Sequence, residues 1–260
     1  MFADLTLYTL IALACASFTA GMIDAIAGGG GLIQLPALLI GLPRTETVVI
    51  LGTNKVPSIF GTSASALMYR RNIKTDTKLL LTMAIPAFIG SMGGASLASS
   101  IPTKALKPIV VVLLIAVFLY TWRRPNLGQI ESLKHEPRRR LQIAGCAALV
   151  IGFYDGIIGP GTGSFLILIL VAVMGFAFLS ASAIAKVVNV ATNLGAIITF
   201  GLRSEIIWKL GLLLAIANVS GGLIGAHLAL RGGSTLVRKV FLAVTFALIM
   251  KVAFDTVNNW

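Results

Sequence analysis

The sequence predicts an all-α integral membrane protein, a helical bundle of two inverted-topology repeats with short or re-entrant helices at glycine-rich interruptions. Three observations carry this reading. The 260 residues are 57 % hydrophobic and only 12 % charged, with a mean hydropathy of +0.94, whereas soluble domains carry roughly twice that charged fraction. Apolar runs of about 20 residues, the length of a bilayer-spanning helix, recur along the chain. Finally, a shift of 131 positions lays the chain on itself.

At that offset Asp24 meets Asp155, Cys15 meets Cys146, Gly21 meets Gly152, Gly28 meets Gly159 and Gly30 meets Gly161. Farther on, Lys55 meets Lys186, Gly90 meets Gly221, and GASLA (Gly94 to Ala98) meets GAHLA (Gly225 to Ala229). A constant offset shared by rare intramembrane Asp, Lys and Cys residues marks two halves of about 130 residues. The chain divides into a first repeat, 1–122, a basic cytoplasmic linker, 123–140, and a second repeat, 141–260, together one membrane domain.

Each half has the same plan. In the first, apolar runs cover Leu5 to Ala27, Leu32 to Leu42, Thr47 to Tyr69, Leu79 to Ala98 and Lys104 to Trp122; in the second, Leu141 to Ile158, Ser164 to Val173, Ala181 to Phe200, Leu210 to Leu230 and Leu236 to Val257. The second run of each half has only about a dozen residues, roughly 18 Å of helix against a hydrocarbon core of about 30 Å. The glycine clusters before these runs therefore mark interruptions inside the membrane. The opening MFADLTLYTL lacks a basic segment, so the first run is expected to be retained rather than cleaved as a signal peptide.

Net charge is +12, but its placement points to topology rather than nucleic acid. Thirteen Lys and Arg fall in connections 69–78, 122–140 and 231–239, against five at Arg44, Lys104, Lys107, Arg203 and Lys209. If the most basic connections face the cytoplasm, loop 69–78 is inside while its equivalent near 200–209 is outside. The halves are then inverted, with both termini outside the cytoplasm. Cys15 and Cys146 lie in apolar runs and are expected to be small buried hydrophobes.

Backbone that leaves helical geometry in a bilayer must be buried in protein or face a watery cavity. AGGGGL and its partner IGPGTGSF (Ile158 to Phe165) are such backbone. The short helices after them would present N–H groups and positive dipole ends from Gly29, Gly30 and Gly31 and from Gly161, Thr162 and Gly163, an arrangement suited to an anion. Lys55 lies nine residues beyond Glu46, roughly 13 Å into the membrane at helical rise, where a charge must be paired or face a cavity. Lys186 is its equivalent, and Asn54, Asn189 and Asn193 add amides. These residues form the candidate substrate site for a small anion. Asp24 and Asp155 either neutralise the lysines or carry a coupled proton. The bland alternative pairs Lys55 with Asp24 and Lys186 with Asp155 as structural ion pairs. For Gly90, Gly94, Gly221 and Gly225, close helix packing is expected.

The same residues carry a family resemblance. GMIDAIAGGGGLIQLPALLIGLP (Gly21 to Pro43), then LGTNKVPSIFGTSASALMYRRN (Leu51 to Asn72) and GFYDGIIGPGTGSFL (Gly152 to Leu166), resembles the sulfite exporter TauE/SafE family over nearly the whole chain. The resemblance implies a transporter in the inner membrane of a prokaryote that exports sulfite, sulfoacetate or another organosulfonate. It places the family's glycine-rich interruption on Gly28 to Gly31 and Gly159 to Gly163, and its Asn-Lys motif on Asn54 and Lys55. Ala185 precedes Lys186, so the amides are not symmetric.

No enzyme, cofactor or metal site is expected. GPGTGS lacks the Lys-Ser/Thr of a nucleoside-triphosphate loop, and His135 and His227 stand apart. An intramembrane aspartyl protease is a weak alternative, because both aspartates precede the glycines instead of following a Gly-X-Gly. An anion channel with the same site differs only in rate and coupling. The expected partners are a small anionic substrate, protons as a coupling ion and membrane lipid, and no nucleic acid.

Overall fold

A computed structural model describes residues 6–98, 100, 118, 119, 121–123 and 126–258. The predicted helix Lys104 to Trp122 lies almost wholly outside the described residues, as do Lys104 and Lys107. Among those described, every regular element is helical.

Helix α1 (Leu7–Ala27) starts at Thr6, whose hydroxyl accepts from the Thr9 amide at 3.2 Å, and stops at Gly28 with φ 78°. Glycine alone adopts that left-handed conformation without steric cost, so the helix ends inside the apolar run. Helix α2 (Gly31–Gly41) follows after three residues, Gly28 to Gly30. Helix α3 (Thr47–Asn72) contains Pro57, and α4 (Thr77–Leu97) is capped by the Asp76 carboxylate on the Lys78 amide and contains Pro86. In the second half α5 (Pro137–Ile157) has proline at its first turn. Helix α6 (Thr162–Leu168) follows Gly161, also left-handed at φ 86°, and runs into a π turn at Ile169–Val173. Helices α7 (Phe178–Leu202) and α8 (Trp208–Asn258) complete the chain.

Two predicted connections are corrected. Residues 137–140, counted with the linker, are the first turn of α5. The rest is no loose tether: the Phe178 amide donates to Gly128 O at 2.7 Å, Ser132 N to Gly175 O at 2.8 Å and Lys134 N to Met174 O at 2.8 Å, strapping 126–136 across the α6–α7 turn. The connection 231–239 is a break within α8, where Gly233 takes φ 61° and ψ −166°. Gly225 abuts Met22 and Ala25 while Val244 abuts Gly29. A straight helix would separate residues 225 and 244 by about 28 Å, so the second arm of α8 folds back at Gly233.

Among the described residues, five helices are long and apolar enough to cross a membrane: α1, α4, α5, α7 and the Trp208–Ala247 stretch of α8. Their outer faces carry exposed Ile11, Leu81, Ile85, Ile89, Leu212 and Ile216. The protein is a multi-pass membrane protein. Helix α3, at 26 residues, falls short on composition because it holds Asn54, Lys55 and Pro57, all of which it buries. Cys15 and Cys146 are exposed, contrary to the sequence expectation, because apolar composition is shared by the lipid face and the core.

The helices assemble as two bundles, and these do not coincide with the sequence halves. One gathers α1, α2, α3 and the first arm of α8; the other gathers α4, α5, α6 and α7. Each half thus contributes its fourth helix to the other bundle. Gly21 seats against Asn218, Gly221 against Phe18 and Gly225 against Met22; at the same offset Gly152 seats against Ala87, Gly90 against Leu149 and Gly94 against Phe153. In each of these six a methyl group would strike a backbone carbonyl oxygen, as expected for small residues that let helices touch. Ser17, Gly21 and Ala25 meet Leu214, Asn218 and Gly225, and Thr82, Ala87 and Ser91 meet Gly145, Gly152 and Gly156, so α1 runs parallel to the first arm of α8, and α4 runs parallel to α5. Gly221→Leu is accordingly expected to cost about 1–3 kcal/mol or more by overpacking, seen as a fall in Tm in detergent. Gly93→Ala should be silent, since only the Phe153 ring lies near, at 3.7 Å.

The bundles also differ inside. In the first, the Asn218 amide donates to Ser17 O at 3.0 Å and to Gln34 Oε1 at 2.9 Å. At the matching positions the second bundle has Ala87, Ala148 and Phe165, all buried and apolar.

Candidate functional site

Both chain breaks lie where the bundles meet. Gly28 and Gly163 touch backbone to backbone, so a side chain on either would strike the other. The Ser164 amide donates to Gly28 O at 3.1 Å and its hydroxyl to Ala27 O at 2.9 Å, tying α6 to the end of α1. Ser164 N and Thr162 N, the latter bonded to Gly159 O at 3.2 Å, are therefore taken up within the protein. In the first half the Gly30 amide is directed at Asp24 Oδ1, at 3.4 Å. The helix starts thus hold each other and an aspartate, and fewer of their amides are open to an anion than the sequence suggests.

The four intramembrane charges form two ion pairs, and the pairing is crossed. Lys55 Nζ donates to Asp155 Oδ2 at 2.8 Å and Asp155 O at 2.7 Å. Lys186 Nζ donates to Asp24 Oδ2 at 2.8 Å and also to Asp24 O. The pairing of Lys55 with Asp24 and of Lys186 with Asp155 is overturned: α3 presents Lys55 to α5, and α7 presents Lys186 to α1, so each pair spans the two bundles. Two ammonium and two carboxylate groups sum to zero charge. This balance lets such groups persist at membrane depth, since an unpaired buried charge costs several kcal/mol.

The pairs are not equivalent in surroundings. Asp155 and Lys55 are each 3 % exposed in their side chains, and Asp155 Oδ1 also accepts from the Thr162 hydroxyl at 2.7 Å. Tyr154, next in sequence, donates its hydroxyl to Pro160 O at 2.6 Å and pins the second break. Asp24 is 17 % exposed while Lys186 is fully enclosed. Its further partners are long: the Thr62 hydroxyl at 3.3 Å and the Gly30 amide at 3.4 Å.

A cavity of about 30 Å³ lies between the pairs, room for about two waters. Of the predicted site residues, Asp24, Gly31, Asn54, Lys55, Asp155, Gly161, Thr162, Gly163, Asn189 and Asn193 line it. Lys186 sits behind Asp24, Gly30 addresses Asp24 from the side, and Gly29 lies against Val244. Asn193 donates to Asn189 O at 2.8 Å, and Asn189 Oδ1 accepts from Thr192 at 3.0 Å. Asn54 Oδ1 is buried and has no hydrogen-bond partner, so this amide keeps capacity for something in the cavity. Ser58 and Thr62 also line it and were missed by the sequence reading. The repeat contains the signal for both, since they are the offset equivalents of Asn189 and Asn193. His135 and His227 are exposed and do not line the cavity.

A bundle of apolar helices, broken at its centre around buried charges and a polar cavity, has the build of a membrane transporter. The chain belongs to the sulfite exporter TauE/SafE family, whose model matches residues 13–252. It is similar to a probable membrane transporter protein, ORF9, of a Sinorhizobium species, 38 % identical over 97 % of this chain and 95 % of the relative. A probable membrane transporter protein of Haemophilus influenzae is 35 % identical, with 97 % of each chain covered. The probable membrane transporter protein YfcA of Escherichia coli K12 is 35 % identical over 91 % of this chain and 87 % of its own. No solved structure matches the chain. These relatives are transporters by name, and the protein is a membrane transporter, not an enzyme.

Proposed function

We propose that the protein is a secondary carrier of a sulfur-containing oxyanion, sulfite or an organosulfonate, exported across the inner membrane of a prokaryote by alternating access. The observation that carries this is the crossed pair of buried ion pairs spanning the two bundles around a shared polar cavity. The lining supplies an ammonium at Lys55, amides at Asn54, Asn189 and Asn193, and hydroxyls at Ser58, Thr62 and Thr162, donors that suit a compact oxyanion. The family name supports the sulfur anion and the outward direction.

An inverted arrangement of the halves supports alternating access. The short turn 73–76 makes α3 and α4 run in opposite directions. Gly211 packs on Val56 and Gly222 on Gly61 in rising register, so α3 runs with the first arm of α8; that arm in turn opposes α7 across the short turn 203–207. Repeat-equivalent α3 and α7 are therefore opposed. With the basic connections facing the cytoplasm, both termini would lie outside it. The moving bodies are the bundles rather than the sequence halves, because α4 and the first arm of α8 are exchanged. A cavity sized for about two waters must widen before a four-atom anion is seated, which the bundles achieve by parting.

The test is counterflow in proteoliposomes. Labelled sulfite should accumulate transiently against excess internal sulfite and saturate with concentration. Flux that rises linearly and shows no counterflow would replace the carrier by a channel, and no sulfur-anion flux at all would overturn the substrate.

A further inference from the structure

The two aspartates occupy equivalent places in the repeat but not equivalent environments, and the difference divides their labour. We propose that Asp24 alone carries an exchangeable proton, and that its protonation is what admits the anion, while Lys55 and Asp155 remain a fixed pair. This rests on the anion-carrier reading above.

Asp155 also lines the cavity but is held by short bonds. Lys55 and Thr162 donate to its carboxylate at 2.8 and 2.7 Å, and Tyr154 fixes the adjoining backbone. Asp24 faces the cavity, holds one short side-chain partner in Lys186, and has only long contacts besides. Charged and titratable groups face it from each packed element: Lys186 on α7, Lys55 and the Tyr69 phenol on α3, and Asp155 on α5. The N-cap of α2 offers the Gly30 amide, and among the described side chains of α8 no charged one lines the cavity. One turn before Asp24, Gly21 abuts Asn218, whose amide is bonded to Gln34; Gln34 Nε2 is itself buried without a partner. The corresponding neighbourhood of Asp155 is Ala87 and Phe165. Asp24 therefore sits on the more polar side of the interface.

Charge balance supplies the coupling. With both pairs intact the quartet is neutral and an entering anion would be uncompensated. When Asp24 takes up one proton at Oδ2, the quartet becomes +1 because Lys186 loses its counter-ion, and one monoanion restores neutrality. Proton and anion are then bound together, released together, and travel in the same direction. Neutral substitution at Asp24 should leave the site permanently ready for an anion.

The experiment is calorimetric titration of the detergent-purified protein with sulfite in buffers of different ionisation heat, which counts protons taken up per anion. Sulfite's own titration is common to all variants and cancels in the comparison. Wild type should take up one more proton per anion than Asp24→Asn. Its affinity should fall by up to tenfold per pH unit above the range in which Asp24 is protonated, while Asp24→Asn lacks this dependence. Tyr154→Phe, which keeps all four charges and releases only the backbone beside Asp155, should keep the wild-type proton count. Equal counts in wild type and Asp24→Asn, or loss of the count in Tyr154→Phe, would overturn the assignment although the anion still binds. A wild-type protein that binds no sulfur anion would instead overturn the carrier reading and this one with it.

Discussion

Asp155→Asn is expected to lower the stability of the protein by about 3–5 kcal/mol, the cost of leaving a buried charge without its partner. Lys55 and Asp155 are each 3 % exposed and the pair spans two bundles, so the few waters the cavity can hold beside Lys55 replace only part of the lost carboxylate. Unfolding in mixed detergent would show the loss. Adding Lys55→Gln should recover most of it, because removing both charges also removes the desolvation penalty. Asp24→Asn should cost a similar amount: Asp24 is 17 % exposed, but the lysine it leaves unpaired, Lys186, is fully enclosed and does not line the cavity. No measurable loss in either variant would contradict the burial of the two lysines.

The second large effect is at the meeting of the two chain breaks. Gly163→Val places a branched side chain against the Gly28 backbone. Both surfaces are main chain tied by the Ser164 hydrogen bonds, so neither can yield by a rotamer change. The cost should reach the upper end of overpacking effects, about 3 kcal/mol, with loss of the folded monodisperse peak in size-exclusion chromatography. Gly31→Ala, two residues past the first break, meets only Pro160 at 3.4 Å and should fold normally.

Much of this was legible in the sequence, and the exceptions follow from what an internal repeat can encode. The offset identifies equivalent residues, so it located both chain breaks, both lysines and both aspartates. Equivalence is not adjacency, however. The symmetric partner of a Lys55–Asp155 contact is a Lys186–Asp24 contact, and the crossed and uncrossed pairings satisfy the repeat equally well. Only the exchange of α4 and the first arm of α8 between bundles, invisible in periodicity, selects the crossed one. The two cysteines were misplaced for another reason: in a bilayer, hydrophobicity serves the lipid face and the core alike. The connection at 231–239 carries charges and two adjacent glycines, which read as a loop. The single residue Gly233 accomplishes the reversal while helix continues on both sides.

The claim on which the account turns is that the charged quartet is where the anion binds. It is tested most directly by thermal unfolding with and without sulfite, in wild type and in Asp24→Asn/Lys186→Gln. This double substitution removes one whole ion pair, keeps the charge balance and so should preserve the fold. Sulfite at about 100 times its Kd adds roughly 2.7 kcal/mol to a protein that binds it, a readily visible rise in Tm. The account predicts that rise in wild type and its absence in the double variant. An equal rise in both would place the anion elsewhere in the molecule.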